Sequence, residues 1–191
     1  MKKLLLLLLL IPLISCTEDW TGEKEVTYLQ DRNGIKYEVN SEVGFTGKYV
    51  LYENSGQKLY ETNYKNGKED GLDTSWFKNG QKQYETNYKN GMRNGLKTRW
   101  NRNGQKEFEA NFKNGKNDGL WTGWHENGQK EFEVNWKNGK KDGLWNEWYE
   151  NGQKEYEGNY KNDNNVGLHT WWDKEGNVTK TKTYKDGELV K

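Results

Sequence analysis

The stretch Asn127-Gly-Gln-Lys-Glu-Phe-Glu-Val-Asn-Trp-Lys-Asn-Gly-Lys-Lys-Asp-Gly-Leu-Trp-Asn-Glu-Trp148 is one copy of a sentence that this chain writes repeatedly. Its marker glycine returns at Gly56, Gly80, Gly104, Gly128, Gly152 and Gly176, a period of 24 residues. Other columns keep step: Trp76, Trp100, Trp124, Trp148 and Trp172; Gly71, Gly95, Gly119, Gly143 and Gly167; Leu72, Leu96, Leu120, Leu144 and Leu168. Self-similarity at a fixed period of this size is the mark of a repeat architecture, and it overrides residue-by-residue propensity.

Within each copy two runs alternate with period two. In the first run Tyr60, Thr62 and Tyr64 share one face, and the same positions later read Tyr84, Thr86, Tyr88, then Phe108, Ala110, Phe112, then Phe132, Val134, Trp136. In the second run Leu72, Thr74 and Trp76 alternate likewise. Such alternation in aromatic and β-branched residues predicts half-buried strands. Asn79-Gly80, Asn103-Gly104, Asn127-Gly128 and Asn151-Gly152 predict type I′ hairpin turns, with a longer loop such as 138–143 at the opposite end. Asp163 stands where Gly139 stood, and Asp tolerates the left-handed region, so that turn is expected to survive. The expected fold is all-β: an elongated, single-layer antiparallel sheet of repeated β-hairpins, shaped as a trough or ribbon roughly 50 Å long.

Composition agrees with a thin ordered sheet. Hydrophobic and charged residues each make up 31%, a balance that alone leans toward disorder, but 10 Trp, 12 Tyr and 5 Phe supply large apolar areas. Removing Lys2 and Lys3 from the 30 basic residues leaves 28 against 29 acidic ones, which is no footprint for nucleic acid.

The first residues form a separate unit. Met1-Lys2-Lys3 and an apolar core from Leu4 to Leu13 read as a secretory signal, too short to span a bilayer in the mature protein. It ends Leu13-Ile14-Ser15-Cys16, which resembles the lipobox of bacterial lipoproteins. Cys16 is the only cysteine, so no internal disulfide explains it; lipidation does. The expected organisation is a signal peptide over 1–15, lipidated Cys16 and a polar tether over 16–32, and repeats over 33–191, with a first capping strand around Val26 to Leu29 as the other reading of the tether. Membrane contact runs through Cys16 alone. Thr17 after the cysteine favours the outer membrane in an organism that has two.

The pattern (Tyr/Phe)-Glu-x-x-aromatic-Lys-x-Gly-x-x-x-Gly-Leu resembles the MORN repeat. The Asn-Gly-Gln-Lys opening and the spacing are similar to the bacterial MORN-repeat variant, and Tyr156-Glu157-Gly158-Asn159-Tyr160 is nearest to the standard motif. The resemblance implies a sheet of hairpins serving as a protein-binding scaffold. Many bacterial members are labelled YwqK-type antitoxins, which implies an antitoxin or immunity role as an alternative. It carries over no catalytic residue.

No nucleophile–base pair, phosphate loop or metal cluster is legible, so a non-catalytic protein without cofactor or metal is expected. His125 and His169 read as solvent-facing strand residues. The columns that differ between copies are the informative ones: Asp73, Lys97, Trp121, Trp145 and His169. Trp121, Trp145 and Trp171, with Tyr149, form a candidate binding strip on the face opposite Trp124 and Trp148. Three readings of it stay open: a hot spot for a protein partner, a row of platforms for glycan rings, or packing against lysine stems.

Overall fold

The structure is a computed structural model that describes residues 24–190. Residues 1–23, including the signal-like segment and Cys16, lie outside the described residues. The described chain is all strand and turn: β1 (Glu25–Val26), β2 (Gln30–Arg32), β3 (Ile35–Tyr37), β4 (Gly47–Tyr52), β5 (Lys58–Lys65), β6 (Lys68–Trp76), β7 (Lys82–Lys89), β8 (Met92–Trp100), β9 (Lys106–Lys113), β10 (Lys116–Trp124), β11 (Lys130–Lys137), β12 (Lys140–Trp148), β13 (Lys154–Lys161), β14 (Asn164–Trp172), β15 (Val178–Lys185) and β16 (Glu188–Leu189).

Fourteen of these strands make one open sheet in the order β1-β4-β5 and onward to β16, with β1 parallel to β4 and every later strand antiparallel to its chain neighbours. The β2–β3 hairpin stands apart as a second small sheet. This is the elongated hairpin sheet that the periodicity predicts.

Register sorts the side chains. Directly opposed residues share a face. Thr62 opposes Asp73, Tyr60 opposes Ser75 and Tyr64 opposes Glu69, so these six share one face, here the ring face. Glu61, Asn63, Leu72, Thr74 and Trp76 point the other way, onto the ladder face. There Lys58 binds Glu61 and sits 5.7 Å from the Trp76 ring centroid, and the arrangement recurs with Lys82, Lys106, Lys130 and Lys154 over Trp100, Trp124, Trp148 and Trp172 at 5.8–5.9 Å. Each of these tryptophans but Trp172 is also the Cα partner of the next lysine, as Trp76 is of Lys82 and Trp100 of Lys106, so lysine and tryptophan alternate from β5 to β14.

The two turn types exchange places relative to the sequence expectation. At the Asn79-Gly80 end only the glycine is left-handed (φ 84°), Gly80 N–H donates to Phe77 O, and Phe77 N–H donates to Gln81 O. That is a type I turn closed by a glycine bulge. The type I′ turns lie at the other end, where a longer loop was expected: Asn66 and Gly67 have φ of 51° and 75°, and Asn138 and Gly139 have 51° and 83°. The reason is register. Lys65 pairs with Lys68, which leaves only two residues to close the hairpin. Asp163 adopts φ 72° and the turn survives the loss of its glycine, as expected.

Gly71, Gly95, Gly119 and Gly143, with φ between 114° and 118°, mark a recurrent bulge where the register shifts. An asparagine from the neighbouring strand fills it: Asn63 Nδ2 donates to Leu72 O at 2.8 Å, and Asn111 Nδ2 to Leu120 O at 2.9 Å.

The N-terminal boundary shifts. Glu25–Val26 pairs in parallel with Lys48 and Tyr49, and Gln30–Arg32 pairs with Ile35–Tyr37. The part of the expected 16–32 tether that is described therefore belongs to a cap on the first edge rather than to a linker. Phe45 and Val50 are 2% and 0% exposed there, Val50 opposite Glu61 on the ladder face and the Phe45 ring 6.2 Å from Tyr64 of the ring face.

Glycine substitutions separate backbone strain from crowding. A Cβ at Gly128 (φ 84°) meets nothing within 4 Å, whereas one at Gly119 (φ 116°) lies 2.9 Å from the Asn111 Cβ. Gly128→Ala is expected to cost about 1 kcal/mol and Gly119→Ala at least about 2 kcal/mol in urea unfolding; equal losses would show that the asparagine-filled bulge yields freely.

Candidate functional site

The two faces differ in how the repeat uses them. On the ladder face the columns are nearly fixed: Lys58, Glu61, Asn63, Leu72 and Trp76 recur as the same residue in every later full copy. On the ring face they change. The column of Asp73 reads Asp73, Lys97, Trp121, Trp145 and His169. The column of Ser75 reads Ser75, Arg99, Gly123, Glu147 and Trp171. The column of Glu69 reads Glu69, Arg93, Asn117, Lys141 and Asn165. The varying columns thus converge on a single surface, and this surface is the candidate site.

Along it the chemistry changes strand by strand. β6 presents Glu69 and Asp73, β8 presents Arg93, Lys97 and Arg99, and β10 presents Trp121. Burial pushes the Asp73 carboxyl above its ordinary value and the Lys97 amine below its own, with Arg93 and Arg99 adding to the latter. Tyr84 between them is pushed up to about 12, by burial first and by the Asp73 charge second. Desolvation and the Glu155 charge raise Glu147.

Three of the four strip residues lie on this face, opposite Trp124 and Trp148, as the alternation predicts. They are embedded among rings. Trp121 meets Phe108 edge-on at 5.2 Å, Phe112 at 5.7 Å and Trp136 at 5.1 Å. Trp145 meets Tyr160 at 5.5 Å, with the Lys141 ammonium 3.8 Å over its ring. Trp171 lies 5.1 Å from Tyr156, with Lys180 at 4.8 Å. The lysine stems are there, but the principal cover is the aromatic column of the neighbouring strands. The hairpin register shows it. Tyr149 is different: it stands in the turn after β12, its hydroxyl donates to Trp172 O at 2.9 Å, and it does not join the tryptophans. His125 holds the equivalent place one repeat earlier and bonds Trp148 O through Nε2 at 2.7 Å.

His169 overturns its expected exposure. It is 1% exposed because it sits on the ring face between Tyr156, Tyr160 and Tyr184. Its Nε2 lies 3.0 Å from Asn159 O, which only accepts, so Nε2 carries the proton. Nδ1 then accepts from the Tyr156 hydroxyl at 2.7 Å, and Tyr160 donates to Tyr156 at 2.9 Å. Gly158 makes room: a Cβ there meets Tyr156 Oη at 2.2 Å and His169 Nδ1 at 2.4 Å. Gly123 does the same for Phe132. Part of the ring-face variation is therefore volume exchange between neighbouring strands.

The framework glycines Gly56, Gly80, Gly104, Gly128 and Gly152 all sit in the bulged turns with positive φ. The framework tryptophans Trp76, Trp100, Trp124, Trp148 and Trp172 all stand in the ladder. Among the described residues no three His, Cys, Asp or Glu side chains cluster as metal ligands.

A family model described as a MORN repeat variant matches residues 45–66, 69–90, 93–114, 117–138 and 141–162, more than half of the chain. The chain belongs to the MORN repeat variant family. Each matched MORN repeat is one hairpin closed by a bulged turn, and successive repeats meet at the type I′ turns. No curated protein matches the chain. Family membership makes this a repeat-based binding module of a generally non-enzymatic kind.

His169 is held below its ordinary value of 6.5 by burial. Its neighbours are Tyr156, Tyr160, Trp171 and Tyr184, with Lys182 opposed across the strand pair. The unfolded chain takes the proton first as pH falls, so this group's contribution is whole above about pH 6.5 and is lost below it. Urea midpoints at pH 7.5 and 5.5 should diverge more for the wild type than for His169→Gln; equal divergence would show that His169 charges freely in place.

Proposed function

We propose that the protein is an envelope-anchored, non-catalytic lipoprotein whose MORN sheet binds a protein partner through its ring face. The observation that carries this reading is the segregation of columns. The ladder face repeats one residue set, as a surface devoted to holding the sheet together would. The ring face varies acidic, basic and aromatic residues from strand to strand, which gives one partner a distinct pattern to match. Trp121, Trp145 and Trp171 are the anchors, since half-buried tryptophans among a changing set of charges suit a protein hot spot. Their rings tilt against neighbours at 41–89°, rather than lying flat in a row as glycan stacking needs.

Cys16 is the lipid attachment point in this reading, and Trp121, Trp145 and Trp171 lie far along the chain from it. Several acyl chains on one cysteine give a stable anchor, because each buried CH2 contributes about 0.8 kcal/mol.

Capture from an envelope extract tests the surface. Trp121→Ala, Trp145→Ala and Trp171→Ala together should lose a protein that the wild type retains, while the ladder-face pair Leu96→Ser and Leu120→Ser, whose parents are 41% and 40% exposed, should keep it. The reverse pattern would move the site to the ladder face; circular dichroism guards against an unfolded triple variant. Separately, Cys16→Ser should shift the protein from the membrane to the soluble fraction. A variant that stays in the membrane fraction would overturn the lipid anchor.

A further inference from the structure

One stretch of the ring face has the makings of a defined pocket. Between β4 and β6 lies a depression of about 320 Å³, lined by Leu29, Lys36, Tyr49, Tyr60, Tyr64 and Glu69. Three of its walls are tyrosine rings, with Tyr49 and Tyr60 edge-on at 6.2 Å. Lys36 at its mouth is bound to Asp31 at 2.9 Å, while Glu69 makes no ion pair among the described residues.

Behind Tyr60 stands Asp73, 4% exposed. Its Oδ2 accepts from the Tyr60 hydroxyl at 2.7 Å, and the Tyr84 hydroxyl lies near the same carboxylate, but Oδ1 makes no hydrogen bond of good geometry. The hydroxyl of Thr62, opposed to Asp73 across the strand pair and 1% exposed, has none either. Leaving a buried carboxylate oxygen unbonded costs free energy that a well-packed sheet has no reason to carry. Lys97 on β8 places its ammonium 5.8 Å from the Tyr84 ring and, among the described residues, makes no ion pair with Asp73. β6 thus brings two carboxylates and no base to the ring face, whereas its counterpart β8 brings three bases and no acid.

We infer that the Tyr49–Tyr60–Tyr64 depression, with Glu69 at its rim and Asp73 behind it, receives the ammonium of a lysine side chain presented by the protein partner. The inference rests on the ring face being the binding surface. The tyrosine faces attract a cation, the two carboxylates supply charge, and the lysine's alkyl stem packs on the rings. An arginine head is broader and flatter, and a depression of about 320 Å³ walled by three tyrosine rings suits a compact ammonium better than a planar guanidinium.

Nα-acetyl-lysine amide is the probe, titrated into the full chain and followed by the tyrosine ring signals in NMR, with Nα-acetyl-norleucine amide as the uncharged control. The lysine amide should shift the Tyr49, Tyr60 and Tyr64 signals saturably and the norleucine amide should not. Asp73→Asn, which removes the buried charge behind the Tyr60 ring, should weaken binding about tenfold. Glu69→Gln, a change at the rim that leaves the sheet intact, should weaken it by a smaller factor. No shifts, equal shifts with both amides, or undiminished binding by both variants would overturn the pocket and leave the two orphaned atoms to ordered water. Capture separates this failure from that of the wider reading. Lysine amide binding with no captured protein would keep the pocket and sink the protein-binding surface. A protein captured equally by wild type and Asp73→Asn would keep the surface and sink the pocket.

Discussion

A sheet with no second layer has nothing to pack against except itself. Every large side chain must be covered by neighbours on adjacent strands, and this constraint organises the molecule. On the ladder face the solution is the alternation of lysine and tryptophan: each indole takes an ammonium over its ring, and that lysine is tied to a glutamate three residues on, as in Lys106 with Glu109 at 2.6 Å. One such exposed contact contributes little, about 0.5–1 kcal/mol. Its weight comes from repetition, since the same contact holds each repeat to the next and stability in a solenoid adds through nearest neighbours. The ladder ends where Val178 replaces the lysine opposite Trp172.

The turns serve the same constraint. Packing between neighbours requires that every hairpin keep one register, because a slip of one residue would carry the rings of one strand onto the ladder face and its lysine onto the ring face. Left-handed Asn-Gly pairs close one end in two residues, and a bulged turn closes the other. Successive bulged turns are stitched together: Asn79 donates to Arg102 O, Asn127 to Glu150 O and Asn151 to Lys174 O. Tyr149 and His125 belong to this stitching, which accounts for their recurring place just after the second run of their repeats.

With the frame carried by one face and the turns, the other face is free to vary. It uses that freedom partly for its own packing, as Gly158 does in yielding space to His169 and Gly123 to Phe132. It also uses it for difference: acid on β6, base on β8, indoles on β10 and β12. In a repeat protein the positions that the scaffold does not need are the ones free to differ from copy to copy.

Much of this was legible in the residues alone. A 24-residue period with two alternating runs per copy dictates a sheet of hairpins, and the glycines mark where it must turn, because local periodicity and backbone strain are properties of neighbouring residues. Which Asn-Gly closes the tighter turn was not legible, since Asn66-Gly67 and Asn79-Gly80 look alike until Lys65 is seen to pair with Lys68. Nor was the company of Asp73, Trp121 and His169. Alternation says which residues of one strand share a side; it does not say which side of the next strand they meet. Only the pairing across strands put Asp73 opposite Thr62 and closed three tyrosines around His169, because burial in a single-layer sheet is decided by residues a hairpin away.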